Sequence, residues 1–283
     1  MKVTMNFIRK RLKTIKQAID PNNILVNIWH FFLLCIMVYE LIAIPLEMGF
    51  DLGGENYFLY IDWVETALFF FDILLSFHTA FYFEGAFMTE HDEIAHQYIH
   101  SWLLMDFIAF LPIRFIYRYE LLDSGINALS LLGLFRLPKL FKMIKFFQIG
   151  QGFSKFKDFI KMSGELNGVM RLVRLWVVIA FLIHWVACFW HMIGINPGAH
   201  TTETWIIMNG LEYATPSTRY VKSLYWATAT LLTVGYGDIV AINVGEEIYN
   251  IFVMLLGSAV VGFSMNQIGD ILQQINSEVN YKE

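Results

Sequence analysis

The chain has 283 residues, of which 57% are hydrophobic and 16% charged, against roughly half and a quarter in an ordinary soluble domain. So little polar surface cannot clothe so much apolar chain in water, and a net charge of −5 argues against a general nucleic-acid binder. The cations are unevenly spread: Lys2, Arg9, Lys10, Arg11, Lys13 and Lys16 open the chain, Gln17 to Ile113 holds no Lys or Arg, and Lys155, Lys157, Lys161, Arg171 and Arg174 come later.

Residues 1–21 read as a short basic amphipathic helix closed by Asp20-Pro21. Lys and Arg beside membrane segments favour the cytoplasmic side, which puts this helix and the stretch before residue 172 inside. The basic, acid-free start also fits a mitochondrial targeting segment, although the Ser enrichment of such segments is missing. No cleavable secretory signal is expected, because the first apolar run is too long for a signal-peptide core. That run, 24–48, predicts the first spanning helix, and 57–83 the second, each long enough to cross about 30 Å of hydrocarbon. A polar loop is expected at 84–98, then a third span at 99–117 kinked by Pro112, and a fourth at 126–149 interrupted by cations. An amphipathic connector, 153–170, leads to a fifth span at 172–195. A polar outer stretch at 196–218, a short apolar helix at 219–232, a Gly-rich strand at 233–237 and a last span at 244–275 complete the chain.

The expectation is an all-α membrane protein with six transmembrane helices: a four-helix bundle, then two helices that flank a re-entrant helix. Its expected domains are a basic N-terminal helix (1–21), the bundle (22–150), a linker (151–171), the two-helix domain (172–275) and a short tail (276–283). Cys35 and Cys188 both fall in apolar blocks and read as reduced packing residues. No HExxH, Walker sequence, nucleophile elbow or CxxC is present, so no enzyme is expected and no cofactor.

The most specific string is TLLTVGYGD, Thr230 to Asp238. An ion that sheds its water in a narrow pore needs replacement oxygens, and backbone carbonyls serve if they all face one axis. That demands unusual dihedrals at alternate positions, which Gly235 and Gly237 tolerate. Thr233 adds a hydroxyl, Val234 and Tyr236 supply further carbonyls, and the helix before them turns its negative end towards the cavity. One copy supplies a quarter of such a shell, so four chains around an axis are expected.

A second pattern is Arg136, Lys139, Lys142 and Lys145, one cation every third residue in an apolar segment. Charges at membrane depth are costly and mark function. Asp62, Glu65, Phe69 and Asp72 share one face of the second helix at helical spacing, and Asp106 lies in the third. The four cations fit either a mobile sensor or a fixed basic helix held by ion pairs, with Pro138 interrupting the row.

TLLTVGYGD resembles the selectivity filter of potassium channels. The flanking YVKSLYWATAT and EEIYNIFVMLLGSAVVG resemble the pore and inner helices of voltage-gated-like channels. DPNNILVNIWHFFLLCIMVYELIAIPLEMGF, FFFDILLSFHTAFY, IAHQYIHSWLLMDFIAFLPI and HWVACFWHMIG resemble the cyclic-nucleotide-gated, hyperpolarisation-activated and ether-à-go-go-related branch, over residues 20–275. The resemblance implies that Tyr225 and Trp226 belong to an aromatic cuff around the filter and that Asp238 braces its outer mouth. It also implies that Phe69 with Asp72 forms a charge-transfer site. Members of the branch carry a cyclic-nucleotide-binding domain after the last helix; with the chain stopping at Glu283, direct nucleotide gating is not expected.

The implied activity is potassium-selective conduction, with permeant K⁺ the only metal, by a homotetramer or a mixed tetramer with related subunits in a lipid bilayer. The alternative is a non-conducting structural or regulatory subunit of a larger membrane assembly. The plasma membrane is the favoured location, the mitochondrial inner membrane the alternative. In the last helix Gly257, Gly262 and Gly269 fit either hinge or packing roles. A gate is expected where Met265, Ile268 and Leu272 converge. His91, His96 and His100 read as a solvated or proton-sensitive loop, and His184 and His191 as packing or hydrogen-bonding residues.

Overall fold

A computed structural model of the chain describes residues 18–21, 23–50, 56–83, 86–110, 164–195 and 203–280. Residues 1–17 of the expected N-terminal basic helix, the kink at Pro112, the fourth span with its cations and most of the connector lie outside these residues; 18–21, which are described, are not helical. The chain divides into two compact units, Met1–Leu41 with Gly53–Phe156, and Ile42–Leu52 with Lys157–Glu283.

The first unit holds most of α1 (Ile24–Phe50), then α2 (Asn56–His78), a two-stranded antiparallel ladder of β1 (Phe81–Phe83) and β2 (Ala86–Met88), α3 (His91–Ser101) and α4 (Leu103–Phe110). The second helix ends earlier than its apolar run, and side chains explain where. The His78 ring sits 2.8 Å from the Leu74 carbonyl and Thr79 donates its hydroxyl to the Leu75 carbonyl at 2.7 Å, so two of the last helical carbonyls are already satisfied. The backbone N–H of Ile19 then donates to the His78 carbonyl, and that of Ala80 to the Ile19 carbonyl, which draws the chain into an extended path.

Residues 86–101 differ from the expected polar loop: they form β2 and then α3. Ile94 and Tyr98, four residues apart and both buried, give α3 a single apolar stripe, and the helix starts eight residues before the span expected at 99. Trp102 separates it from α4. The buried centre of the unit is Leu33 and Met37 of α1 against Phe69 of α2.

The second unit contains the end of α1, α5 (Gly164–Ile195), α6 (Trp205–Met208), α7 (Pro216–Leu231) and α8 (Val244–Asn280). Helix α5 runs unbroken from the expected connector into the fifth span. Thr215 caps α7, its hydroxyl accepting from the Thr218 N–H, and Pro216 follows at the first helical position, where its missing N–H costs nothing. The core of this unit joins Val186, Ala187 and Trp190 of α5 to Trp205 of α6, Trp226, Ala227 and Leu231 of α7, and Val253 of α8.

Among the described residues, α1, residues 170–195 of α5 and residues 244–273 of α8 are long and apolar enough to cross a membrane, with mean hydropathies of 2.0, 2.2 and 1.8. Helix α2 has the length, at 23 residues, but Asp62, Glu65 and Asp72 break its apolar run.

Candidate ion pathway and buried carboxylates

Helix α7 ends at Leu231, and the segment beyond it is tied to that end by its own backbone. The N–H groups of Val234 and Gly235 both donate to the Ala229 carbonyl, at 2.8 and 3.1 Å, and that of Thr233 donates to the Thr230 carbonyl at 3.1 Å. Residues 233–237 form no strand. They alternate instead: Thr233, Gly235 and Gly237 have φ of 57°, 64° and 75°, while Val234 and Tyr236 do not adopt positive φ. Repeated switching between left-handed and ordinary backbone turns successive carbonyls to one side, where a strand would alternate them. Two glycines make this cheap, whereas the left-handed Thr233 costs about 1–3 kcal/mol and persists only where its surroundings impose it.

Aromatic rings pack around α7. Trp226, 4% exposed, stacks on Trp190 of α5 with centroids 3.8 Å apart and planes at 9°. Trp190 also stacks on Trp205 at 5.5 Å and on Tyr249 of α8 at 6.3 Å. Tyr225 lies parallel to Tyr236, with ring centroids 6.1 Å apart.

Glu246, absent from the residues read as functional in the sequence, is fully buried in the first turn of α8. Its Oε1 accepts from the Trp205 N–H at 3.1 Å and its Oε2 from the Ile242 N–H at 2.8 Å. One carboxylate thus ties the loop after the candidate filter to α6. The available signal is the Asn243-Val-Gly-Glu246 capping pattern: Asn243 Oδ1 accepts from the Glu246 N–H at 3.0 Å.

The two histidines of α5 hold the end of α1. His191 Nδ1 lies 2.6 Å from the Gly49 carbonyl and its ring stacks on Phe50 at 3.8 Å. His184 donates from Nε2 to the Ile42 carbonyl at 2.9 Å, which leaves Nδ1 to accept from the Tyr220 hydroxyl at 2.7 Å. Gly49 is needed there, since a Cβ would come within 2.7 Å of the Cys188 carbonyl oxygen. Cys35 and Cys188 are both free thiols.

The glycines of α8 separate by environment. A Cβ on Gly257 would approach the Leu231 carbonyl oxygen to 2.7 Å, whereas Gly262 and Gly269 have open space. Met265, Ile268 and Leu272 are exposed on the single chain.

In the first unit Phe69 and Asp106 are fully buried, and Asp62, Glu65 and Asp72 are buried too. Glu40 of α1 joins Asp62 and Glu65, carboxylate oxygens of all three lying within 4.8 Å of one another. Trp29 donates its indole N–H to Asp72 at 3.2 Å. Tyr98 donates its hydroxyl to Asp106 at 2.5 Å, and burial followed by the Asp106 charge pushes that hydroxyl up, so it stays a donor. The reading from sequence omitted Glu40, Trp29 and Tyr98; an acid inside the first apolar run was the visible sign of Glu40. Arg136, Lys139, Lys142 and Lys145 lie outside the described residues.

Long apolar helices, a short helix ending inside their core, and a backbone segment of alternating handedness after it define an integral membrane protein of the ion-transport class. The chain belongs to the ion transport protein family, whose model matches residues 26–280. It is 29% identical to "Potassium channel AKT1" of Oryza sativa subsp. indica over 97% of this chain and 29% of that one. It is 31% identical to "Potassium channel KAT3" of Arabidopsis thaliana over 86% of this chain and 37% of that one. With "Voltage-gated delayed rectifier potassium channel KCNH5" of Homo sapiens it shares 25% identity over 89% of this chain and 27% of that one. The chain thus spans 27% to 37% of the length of these relatives.

Proposed function

We propose that this chain is a subunit of a potassium-selective channel, with Thr233, Val234, Gly235, Tyr236 and Gly237 from four copies lining the pathway. The observation that carries this reading is the run of positive φ at Thr233, Gly235 and Gly237. A glycine-rich turn has no need of a left-handed threonine, whereas a column of carbonyls facing one axis does. Such a column replaces the hydration shell of a permeant K⁺. Trp226 and the Tyr225–Tyr236 stack hold the column from behind, and the C-terminal end of α7 favours a cation below it. Six spans are part of the proposal: α1, α2, a third that includes α4, the cation-bearing segment, α5 and α8.

The buried carboxylates extend the reading to voltage. Burying a charge is tolerated only with compensation, and Arg136, Lys139, Lys142 and Lys145 are the cations nearest in kind and number. Asp62, Glu65, Asp72 and Asp106, with Phe69 as the plug, are proposed as the stations those cations pass. Each charge that crosses the whole field contributes about 2.3 kcal/mol per 100 mV. The gate is proposed at Met265, Ile268 and Leu272, with Gly262 and Gly269 free to bend and Gly257 serving packing. The plasma membrane is the proposed location.

Flux into liposomes that hold the purified protein tests the proposal. Potassium uptake that barium blocks, and that is lost in Gly235→Ala, supports it. Uptake unchanged in Gly235→Ala contradicts the assignment of the pathway.

A further inference from the structure

Four histidines form two ring pairs between the end of α2 and the end of α3, His78 with His91 and His96 with His100, and the ion pathway uses none of them. His96 and His100, one turn apart on α3, stack at 4.3 Å with planes at 29°. His100 Nδ1 is engaged with the His96 carbonyl at 2.7 Å and the rings would have to unstack to chelate, so this i,i+4 pair is a competing chelator that the test below removes. His78 and His91 differ. They are 13 residues apart in sequence, and the ladder brings them together. Its register pairs Phe81 with Met88, Tyr82 with Phe87 and Phe83 with Ala86, which turns the chain back so that α3 starts beside the end of α2. Their rings meet edge to face with centroids 5.7 Å apart and planes at 66°.

We propose that His78 and His91 form a binding site for a divalent transition cation of the zinc, nickel or copper class. An imidazole nitrogen binds zinc at about 2.0–2.1 Å, which puts each ring centroid about 3 Å from the ion and two rings on a tetrahedral ion about 5 Å apart. The observed 5.7 Å is closed by a small rotation of two side chains. The backbones need not move: the His78 carbonyl accepts from the Ile19 N–H at 2.8 Å, and His91 opens α3 directly after its cap residue Glu90.

The tautomer is also set. His78 Nδ1 lies 2.8 Å from the Leu74 carbonyl, so it carries the proton and Nε2 keeps its lone pair. Metal-binding histidines are commonly oriented by this same donation to a backbone carbonyl. Two imidazoles select borderline metals over calcium and magnesium, which prefer oxygen. Water fills the remaining positions, and Glu90 and Asp92 on either side of His91 add negative charge nearby. An ion held there staples the last turn of α2 to the first turn of α3, across the base of the ladder.

Titrating the purified full-length chain in lipid nanodiscs with Ni²⁺ and Zn²⁺, followed by calorimetry, tests the site. One ion per chain is expected, with at least tenfold weaker binding in His78→Ala and in His91→Ala, no change in the His96→Ala/His100→Ala double variant, and no competition from Mg²⁺. Electron paramagnetic resonance of one bound Cu²⁺ in the His96→Ala/His100→Ala double variant, which leaves His78 and His91 intact, should report two imidazole nitrogens. Binding that survives in the His78→Ala/His91→Ala double variant, or a copper signal without imidazole nitrogen, overturns the proposal.

Discussion

Gly257 of α8 lies so close to Leu231, the last residue of α7, that a Cβ on it would stand 2.7 Å from the Leu231 carbonyl oxygen. The obstacle is backbone, at the point where the helix hands over to residues 233–237. Gly257→Ala therefore has to push α8 away from the end of α7, and overpacking of this kind costs about 1–3 kcal/mol. We expect a lower thermal unfolding midpoint and reduced potassium flux. Gly262→Ala meets nothing within 4 Å in the same chain and gains helix propensity of about 1 kcal/mol, so its midpoint should hold or rise. Scanning fluorimetry of the two variants in detergent checks the contrast.

Glu246 is the second point of leverage. Its two oxygens accept from Trp205 and Ile242, and Glu246→Gln turns one acceptor into a donor facing an N–H. A buried donor left without an acceptor costs about 1–3 kcal/mol. The variant should unfold earlier, and because Ile242 lies in the loop after residue 237, it should also lower steady potassium flux at unchanged protein level. Flux and melting measured on one preparation separate the two effects.

Removal of the Trp226 ring takes away the stack on Trp190 at 3.8 Å. Trp226→Ala should cost about 3–5 kcal/mol as an aromatic-to-alanine change in a core. Trp226→Phe keeps a ring in the cavity and should cost clearly less. Yield of assembled protein on size-exclusion chromatography and its melting midpoint check the order Trp, Phe, Ala.

In the first unit, Trp29→Phe keeps the ring but removes the indole N–H given to Asp72. The lost bond to a charged acceptor corresponds to about 1.5–3 kcal/mol. With Asp72 less satisfied, its pull on passing cations rises, so the voltage at half-activation should shift while selectivity stays unchanged. Current recordings from the reconstituted variant provide the check; an unshifted midpoint would argue against Asp72 as a station for the cations.

The sequence made some of this legible and hid the rest for physical reasons. The string Thr230 to Asp238 could be located because glycine spacing carries its backbone requirement directly, and α7 could be placed because an apolar stretch precedes it. The left-handed Thr233 was not visible, since its conformation is imposed by bonds to Thr230 and by its neighbours. Glu246 reads locally as an ordinary first-turn acid; only folding carries its oxygens to Trp205, 41 residues back. Glu40 lay within a run whose hydropathy outweighed one carboxylate. The end of α2 at His78 was missed because Phe81 and Phe83 prolong the apolar run, although they belong to a ladder. Tyr98 and Ile94 show the four-residue spacing of a helix, yet the polar residues around them masked it.

Residues 233–237 are proposed to select potassium. The most direct test is the reversal potential of single channels of the purified protein in a planar bilayer, with potassium on one side and sodium on the other. A reversal potential set by potassium is expected, with sodium carrying no measurable current. A reversal potential near zero, with sodium and potassium carrying equal currents, would contradict it.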